Sequence, residues 1–154
     1  MALGELTGTD LETLTTDLGV VQCWCVAQST LVCRVTGTMT LQHAEMMMRY
    51  SEIINERNGG IPAPAIHDWL GLENYHSNAR LALTHWLLRN RGEFTDVHLA
   101  STSKMVSMGV AVANIAVGGI IEHHTALPSL QRSFDLLHAP VAQRARMSWP
   151  PVRV

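Results

Sequence analysis

Segments with the residue types of β-strands alternate with segments of helical periodicity, and this alternation restricts the fold more than any other feature of the chain. Two strand-like segments come first, at 20–27 and 30–36, and they predict an antiparallel hairpin that turns at Gln28 and Ser29. Three more strand segments then alternate with four helical segments. This order predicts an α/β fold, with a mostly parallel mixed sheet opened by an N-terminal hairpin and covered by about four helices.

Residues typical of helix ends mark the boundaries of the helical segments. Thr40 is a predicted N-cap for a helix from Leu41 to Asn58, which Gly59 and Gly60 end. The later elements predicted from the same kinds of pattern are a strand at 65–68, a polar loop, a helix from Ser77 to a stop at Gly92, a strand at 97–100, a helix capped by Ser103, a strand at 120–124 and a final helix around 127–137.

The length of 154 residues is near the usual size of one domain, and such a chain can bury a core without disulfides. We expect that domain at 20–138. Residues 1–19 are polar and rich in threonine, and they predict an N-terminal arm or a short helix around 11–14. Residues 139–154 have no periodicity and predict a C-terminal tail.

The chain has few charged residues. They make up 16% of the sequence, whereas an average soluble domain has roughly 25%. Some apolar surface is therefore expected to be covered by other subunits, so the sequence predicts a homo-oligomer. The longest uncharged run, from Met105 to Ile121, is diluted by Ser107, Asn114 and glycines, and it predicts a buried helix and the strand that follows.

Several partner and location classes are disfavoured by charge and by the N-terminal sequence. The net charge is -2 and the basic residues are scattered, which argues against a nucleic-acid surface or an anionic-membrane surface. The first residues lack the pattern of a secretory signal, so a cytoplasmic location is expected. Cys23, Cys25 and Cys33 lie in predicted strands without metal or redox spacing, which predicts buried reduced thiols.

Two segments resemble a known family. Thr30 to Ile54 resembles the strand, glycine and first helix of STAS domains, the modules of anti-sigma-factor antagonists and sulphate transporters. His67 to Ser77 falls without a gap on that family's second strand-to-helix segment. Over roughly residues 20–138 the resemblance implies a STAS-like fold, and it implies a non-catalytic regulatory or scaffold module that binds protein partners.

The resemblance can be followed residue by residue near the second helix. Asp68 matches the family's strand-end Asp, while His76 and Ser77 fall on the Asp and first Ser of its helix cap. The Ser that partner kinases phosphorylate in family antagonists falls on Asn78, so Ser77 is the residue left that could accept phosphate. The partner-binding surface implied by the resemblance consists of Asp68, Tyr75, His76, Ser77, Asn78 and Arg80.

Histidines beside polar residues could also form a site. His67, Asp68 and His76 could make a metal or acid–base cluster. However, adjacent strand residues point to opposite faces of a sheet, which favours a structural or partner-facing role. The same argument favours a surface or interface role for His123 and His124.

A group of polar residues precedes the third predicted helix. Ser101, Thr102, Ser103 and Lys104 could hold an anion at the helix N-terminus. Capping of the helix alone would also explain these residue types.

No phosphate-loop, dinucleotide-binding, zinc-protease or hydrolase-elbow motif is present in the sequence. We therefore expect no catalytic residues, no cofactor and no metal. The alternative to a protein-binding module is a module of the same fold that binds a small anionic or lipid ligand, and an enzyme using His67, Asp68 or His76 comes third. A pocket at the strand ends would favour ligand binding or catalysis, whereas a flat apolar patch there would favour binding of a protein partner.

Overall fold

The computed structural model describes residues 9–27 and 29–138. Gln28 of the predicted turn and the predicted tail at 139–154 lie outside the described residues. The described elements are β1 (Thr9–Thr15), β2 (Gly19–Val26), β3 (Thr30–Met39), α1 (Leu41–Arg57), β4 (Ala63–Tyr75), α2 (Ser77–Asn90), β5 (Phe94–Ala100), α3 (Lys104–Ala116), β6 (Ile121–His124) and α4 (Leu127–His138).

The strands form one mixed sheet in the order β1-β2-β3-β4-β5-β6. The pairs β1–β2 and β2–β3 are antiparallel, and the pairs β3–β4, β4–β5 and β5–β6 are parallel. The predicted α/β class, the hairpin and the four helices are therefore confirmed.

Alternating side chains divide the core into two layers. On β3, Leu31, Cys33 and Val35 join the apolar cluster beneath α1, while Val32 joins the cluster that contains Leu130 and Phe134 of α4. The helices α1, α2 and α3 thus cover one face, and α4 covers the other. All three cysteines are free and buried, as expected.

The sheet begins earlier than the sequence predicted. The prediction of a short helix around 11–14 is wrong, because Thr9–Thr15 forms β1 and pairs with β2. Three of its residues are β-branched threonines, which favour extended backbone. Its polar character fits an edge strand exposed to solvent.

The strand β4 is longer than predicted. The residues after Asp68, expected to form a polar loop, continue the strand to Tyr75. This half pairs with β3 alone, since the pairing with β5 ends at Asp68. Its register shifts against β3 disturb the regular alternation of side chains. Gly71 is required there, because a Cβ at this position would lie 2.7 Å from Cγ2 of Thr36.

The helix α3 is only half buried, so the prediction of a buried helix at 105–117 is corrected. Val106, Gly109 and Val110 face the core, whereas most of the outward residues are apolar and exposed. An uncharged run does not distinguish a buried helix from one that presents apolar side chains to solvent. In the described part of the chain, no helix is both long and apolar enough to cross a membrane.

Candidate functional site

An apolar cavity of about 100 Å³ lies between the sheet and the three helices on its first face. The helix α2 forms its roof. It packs mainly against α1 and α3 and makes few close approaches to the strands. Of its residues only Ala79 and Trp86 are buried, so its apolar inner face is left partly uncovered.

Aromatic side chains join the elements that surround the cavity. The indole Nε1 of Trp86 donates a hydrogen bond of 2.8 Å to Glu52 Oε1 on α1, and its ring lies edge-on to Phe94 at 5.8 Å between centroids. At the other end, the Tyr75 hydroxyl donates to the carbonyl of Met105 at 3.4 Å. The Tyr75 ring occupies the space that a side chain at position 109 would fill, which explains glycine there.

The walls of the cavity are mostly aliphatic and aromatic. They include apolar residues from the strands and from all three helices, among them Leu31, Met39, Met47, Leu83, Leu87, Phe94, Val97, Leu99, Val106, Val110, Ala113 and Ile121. Such a lining excludes ordered water unless polar atoms are present to bind it.

Two polar atoms in the wall lack partners. His67 and Trp69 line the cavity from β4, and their buried Nδ1 and Nε1 atoms have no hydrogen-bond partner among the described residues. A buried polar atom left without a partner costs about 1–3 kcal/mol. Desolvation by burial lowers the pKa of His67 from 6.5 to about 4, so the ring is neutral at pH 7.

Arg80 lines the same cavity from the first turn of α2. Within residues 9–27 and 29–138, its guanidinium forms no ion pair and donates no hydrogen bond. The cavity surface is therefore almost entirely apolar, and Arg80 and the two unpartnered ring nitrogens contribute very little of it. Sequence patterns missed this combination, although His67 and Trp69 at alternate positions of a strand indicate one shared face.

Asp68 does not belong to this site, which corrects the predicted partner surface. Its side chain lies on the α4 face, is buried, and accepts a hydrogen bond of 3.0 Å from Arg34 Nε. Arg34 in turn lies over the ring of Trp24, 5.5 Å from the centroid. The match to the family placed Asp68 at a strand end, but β4 continues beyond it. The structure also does not bring His67, Asp68 and His76 together.

The remaining predicted partner residues do lie near one another at the start of α2. His76, Ser77 and Asn78 are exposed, and Tyr75 and Arg80 are partly buried. The expectation that Ser77 caps the helix is wrong, because His76 occupies the N-cap position and makes no side-chain capping bond. Phosphorylation of Ser77 stays a prediction.

The predicted anion site at 101–104 is held by internal contacts. Ser103 caps α3 by accepting from the Val106 amide at 3.4 Å. The buried Ser101 hydroxyl contacts Ser107 Oγ at 3.0 Å and His123 Nε2 at 2.8 Å. The serine–histidine pair has the spacing of a nucleophile and its base, but Ser101 has no solvent-exposed surface. Thr102 and Lys104 are exposed and free of these contacts.

Comparisons with known proteins bear on the fold. No family model matches the sequence, and no curated protein matches it. Among solved structures, the chain is similar to an uncharacterized protein from the DUF3478 family with a SpoIIAA-like fold from Shewanella loihica PV-4. The two are 18% identical with a TM-score of 0.51, over 87% of this chain and 97% of that chain. The SpoIIAA-like fold is the STAS fold, so the predicted STAS-like fold is confirmed.

Proposed function

We propose that this protein is a binding module for a small amphipathic acid, which enters the cavity beneath α2. The observation that carries the proposal is an apolar cavity whose wall holds two buried ring nitrogens without partners. Pockets for small molecules are mostly apolar with a few placed polar groups. Both nitrogens are themselves buried, so a ligand oxygen would reach them once the rings turn toward the cavity, and it would then remove the cost of leaving these atoms unpartnered.

The charge and size of the cavity define the ligand further. Arg80 supplies a cation that would pair with a carboxylate, and charge-assisted hydrogen bonds are among the stronger ones. The volume of about 100 Å³ is somewhat below that of an engineered apolar cavity of about 150 Å³ that binds benzene. A short-chain carboxylic acid that is smaller than benzoate, such as butyrate, therefore fits better than an aryl acid or a long lipid chain. Of the two ligand classes predicted from the sequence, an anionic and a lipid ligand, the proposal keeps the anionic one.

Filling the cavity should block binding. Ala113 lines the cavity from α3, so Ala113→Leu places the added carbons inside it. We expect butyrate to bind the variant at least about tenfold more weakly, because packing extra methylenes into an occupied site costs about 1–3 kcal/mol. Titration calorimetry gives the affinity for each protein.

The matched control is Ala116→Leu, which makes the same change on the exposed side of α3. This control should bind like the wild type. Equal binding by all three proteins would place the ligand outside the cavity, and no binding by the wild type would remove the proposal.

A second candidate function, self-association, is favoured by the outward face of α3. Met105, Met108, Val112 and Ile115 recur at helical spacing and are 53–82% exposed. The only charged residue of the helix is Lys104, at its first position. A second copy of this chain suits such a surface, because two uncharged faces meet without like-charge repulsion. A regulatory or scaffold role in the cytoplasm, as predicted from the sequence, would use this surface for assembly.

Light scattering tests self-association directly. We expect a dimer or larger species at micromolar concentrations for the wild type, and a 17 kDa monomer for Ile115→Glu. Leu127→Glu makes the same kind of change at an exposed position at the start of α4 and should leave the assembly intact. A wild-type monomer throughout the concentration range would contradict the candidate.

A further inference from the structure

Three potential metal ligands converge on the face of the sheet opposite the cavity. His98 on β5 is paired in register with Glu122 on β6, and His124 lies two residues further along the same strand. The separations are 3.1 Å between His98 Nδ1 and His124 Nε2, 3.5 Å between His98 Nδ1 and Glu122 Oε2, and 3.7 Å between His124 Nε2 and Glu122 Oε1. Both imidazoles are buried, while the glutamate is exposed.

These separations are close to the edges of a metal coordination shell, and a small rotation of the Glu122 carboxylate, whose two oxygens face one histidine each, would bring one oxygen to both. Nitrogen or oxygen ligands at about 2.05 Å from a tetrahedral ion lie about 3.3 Å from one another. Two imidazoles and one carboxylate form a donor set that suits Zn²⁺ and similar transition metals, whereas Ca²⁺ and Mg²⁺ prefer oxygen ligands. Three protein ligands would leave a fourth position for water or an anion.

A second contact orients one of the imidazoles. His124 Nδ1 lies 2.6 Å from Ser129 Oγ on α4. If Nδ1 donates its proton to this hydroxyl, the lone pair of Nε2 faces His98 and Glu122. Partners of this kind fix the tautomer and the ring orientation of metal-binding histidines. In that tautomer, His98 Nδ1 donates a hydrogen bond to His124 Nε2 when no metal is bound, and metal binding requires this proton to move to Nε2 of His98.

We propose that His98, Glu122 and His124 form a binding site for a zinc-class divalent cation at the β5–β6 edge of the sheet. The site is independent of the proposed ligand cavity, because the side chains of His98 and His124 lie on the α4 face. The sequence has no metal-binding motif at these positions, because residues 98, 122 and 124 come together only through the register of two strands.

Metal titration of the full chain tests the site. After treatment with a chelator, the protein is titrated with Zn²⁺ in a calorimeter and with Co²⁺ in a spectrophotometer. We expect one equivalent of Zn²⁺ to bind, a rise in thermal midpoint on binding, and a Co²⁺ visible spectrum of a low-coordinate site. Glu122→Gln removes a metal ligand at an exposed position. Loss of a residue that merely orients a ligand lowers metal affinity by roughly 10–100-fold, and loss of the ligand itself should lower it by at least as much.

Two further variants make the test decisive. Glu73→Gln changes an exposed glutamate outside the cluster and should retain wild-type affinity. His98→Asn should lose the one-equivalent site, and its thermal midpoint without metal reports whether it folds. Absence of one-equivalent binding by the wild type, or equal affinity of the wild type and Glu122→Gln, would overturn the proposal.

Discussion

Replacing Arg34 by methionine is expected to lower the free energy of unfolding by about 1–3 kcal/mol, because it leaves the buried Asp68 carboxylate without its partly exposed partner. Asp68 would remain as a buried carboxylate whose Oδ1 still accepts a hydrogen bond of 3.3 Å from the Leu70 amide. Methionine places an apolar side chain beside Trp24, but it also removes the guanidinium that lies over the Trp24 ring. The loss would therefore report the uncompensated charge together with this cation–π contact.

Denaturant unfolding of a matched pair measures this effect. Arg49→Met breaks an ion pair with Glu12 in which both side chains are exposed, and such pairs contribute about 0–1 kcal/mol. A loss of under about 1 kcal/mol in Arg34→Met would mean that Asp68 is solvated. The partner surface predicted from the sequence would then regain that residue.

Replacing His67 by leucine is expected to stabilise the protein and to reduce its sensitivity to acid. At pH 7 the change removes an unpartnered buried nitrogen, and this should raise the free energy of unfolding by about 1–3 kcal/mol. Burial lowers the pKa of His67 from 6.5 to about 4. Between these values the unfolded chain binds a proton that the folded protein does not, so stability falls as the pH falls. At 1.36 kcal/mol per pKa unit the wild type loses about 3 kcal/mol over this window.

The free energy of unfolding of both proteins is measured from pH 7 to pH 4. His43, His123 and His124 also have lowered pKa values caused first by desolvation, but they are present in both proteins and cancel in the difference. His85→Leu, at an exposed position on α2, serves as the control and should change stability by less than about 0.5 kcal/mol. Curves of equal slope for the wild type and His67→Leu would contradict the burial of His67.

The sequence predicted most of the fold because local patterns determine most of its elements. Helical spacing located α1 and α2, and Ser103 was correctly predicted as the N-cap of α3. The patterns failed where tertiary context decides. The strand β1 is a polar edge strand without an apolar face of its own, and the second half of β4 is continuous only because it pairs with β3.

The site was harder to predict than the fold. The alternation of strand residues correctly separated His67 from Asp68, but the sequence did not indicate that Arg34 lies beside Asp68 or that α2 stands away from the sheet. Both facts depend on pairing and packing between distant segments. Arg80 was predicted to lie on a partner-binding surface, and it belongs to the candidate site because it lines the cavity instead.

A crystal structure of the protein soaked with (methylseleno)acetate, a short-chain acid, tests the central claim most directly. The selenium gives an anomalous signal that locates the ligand without reference to the protein atoms. We expect the signal between α2 and the sheet, with the carboxylate within hydrogen-bonding distance of Arg80 or of Trp69 Nε1. A signal confined to the exposed face of α3, or a cavity without bound ligand in crystals that bind the compound elsewhere, would contradict the account.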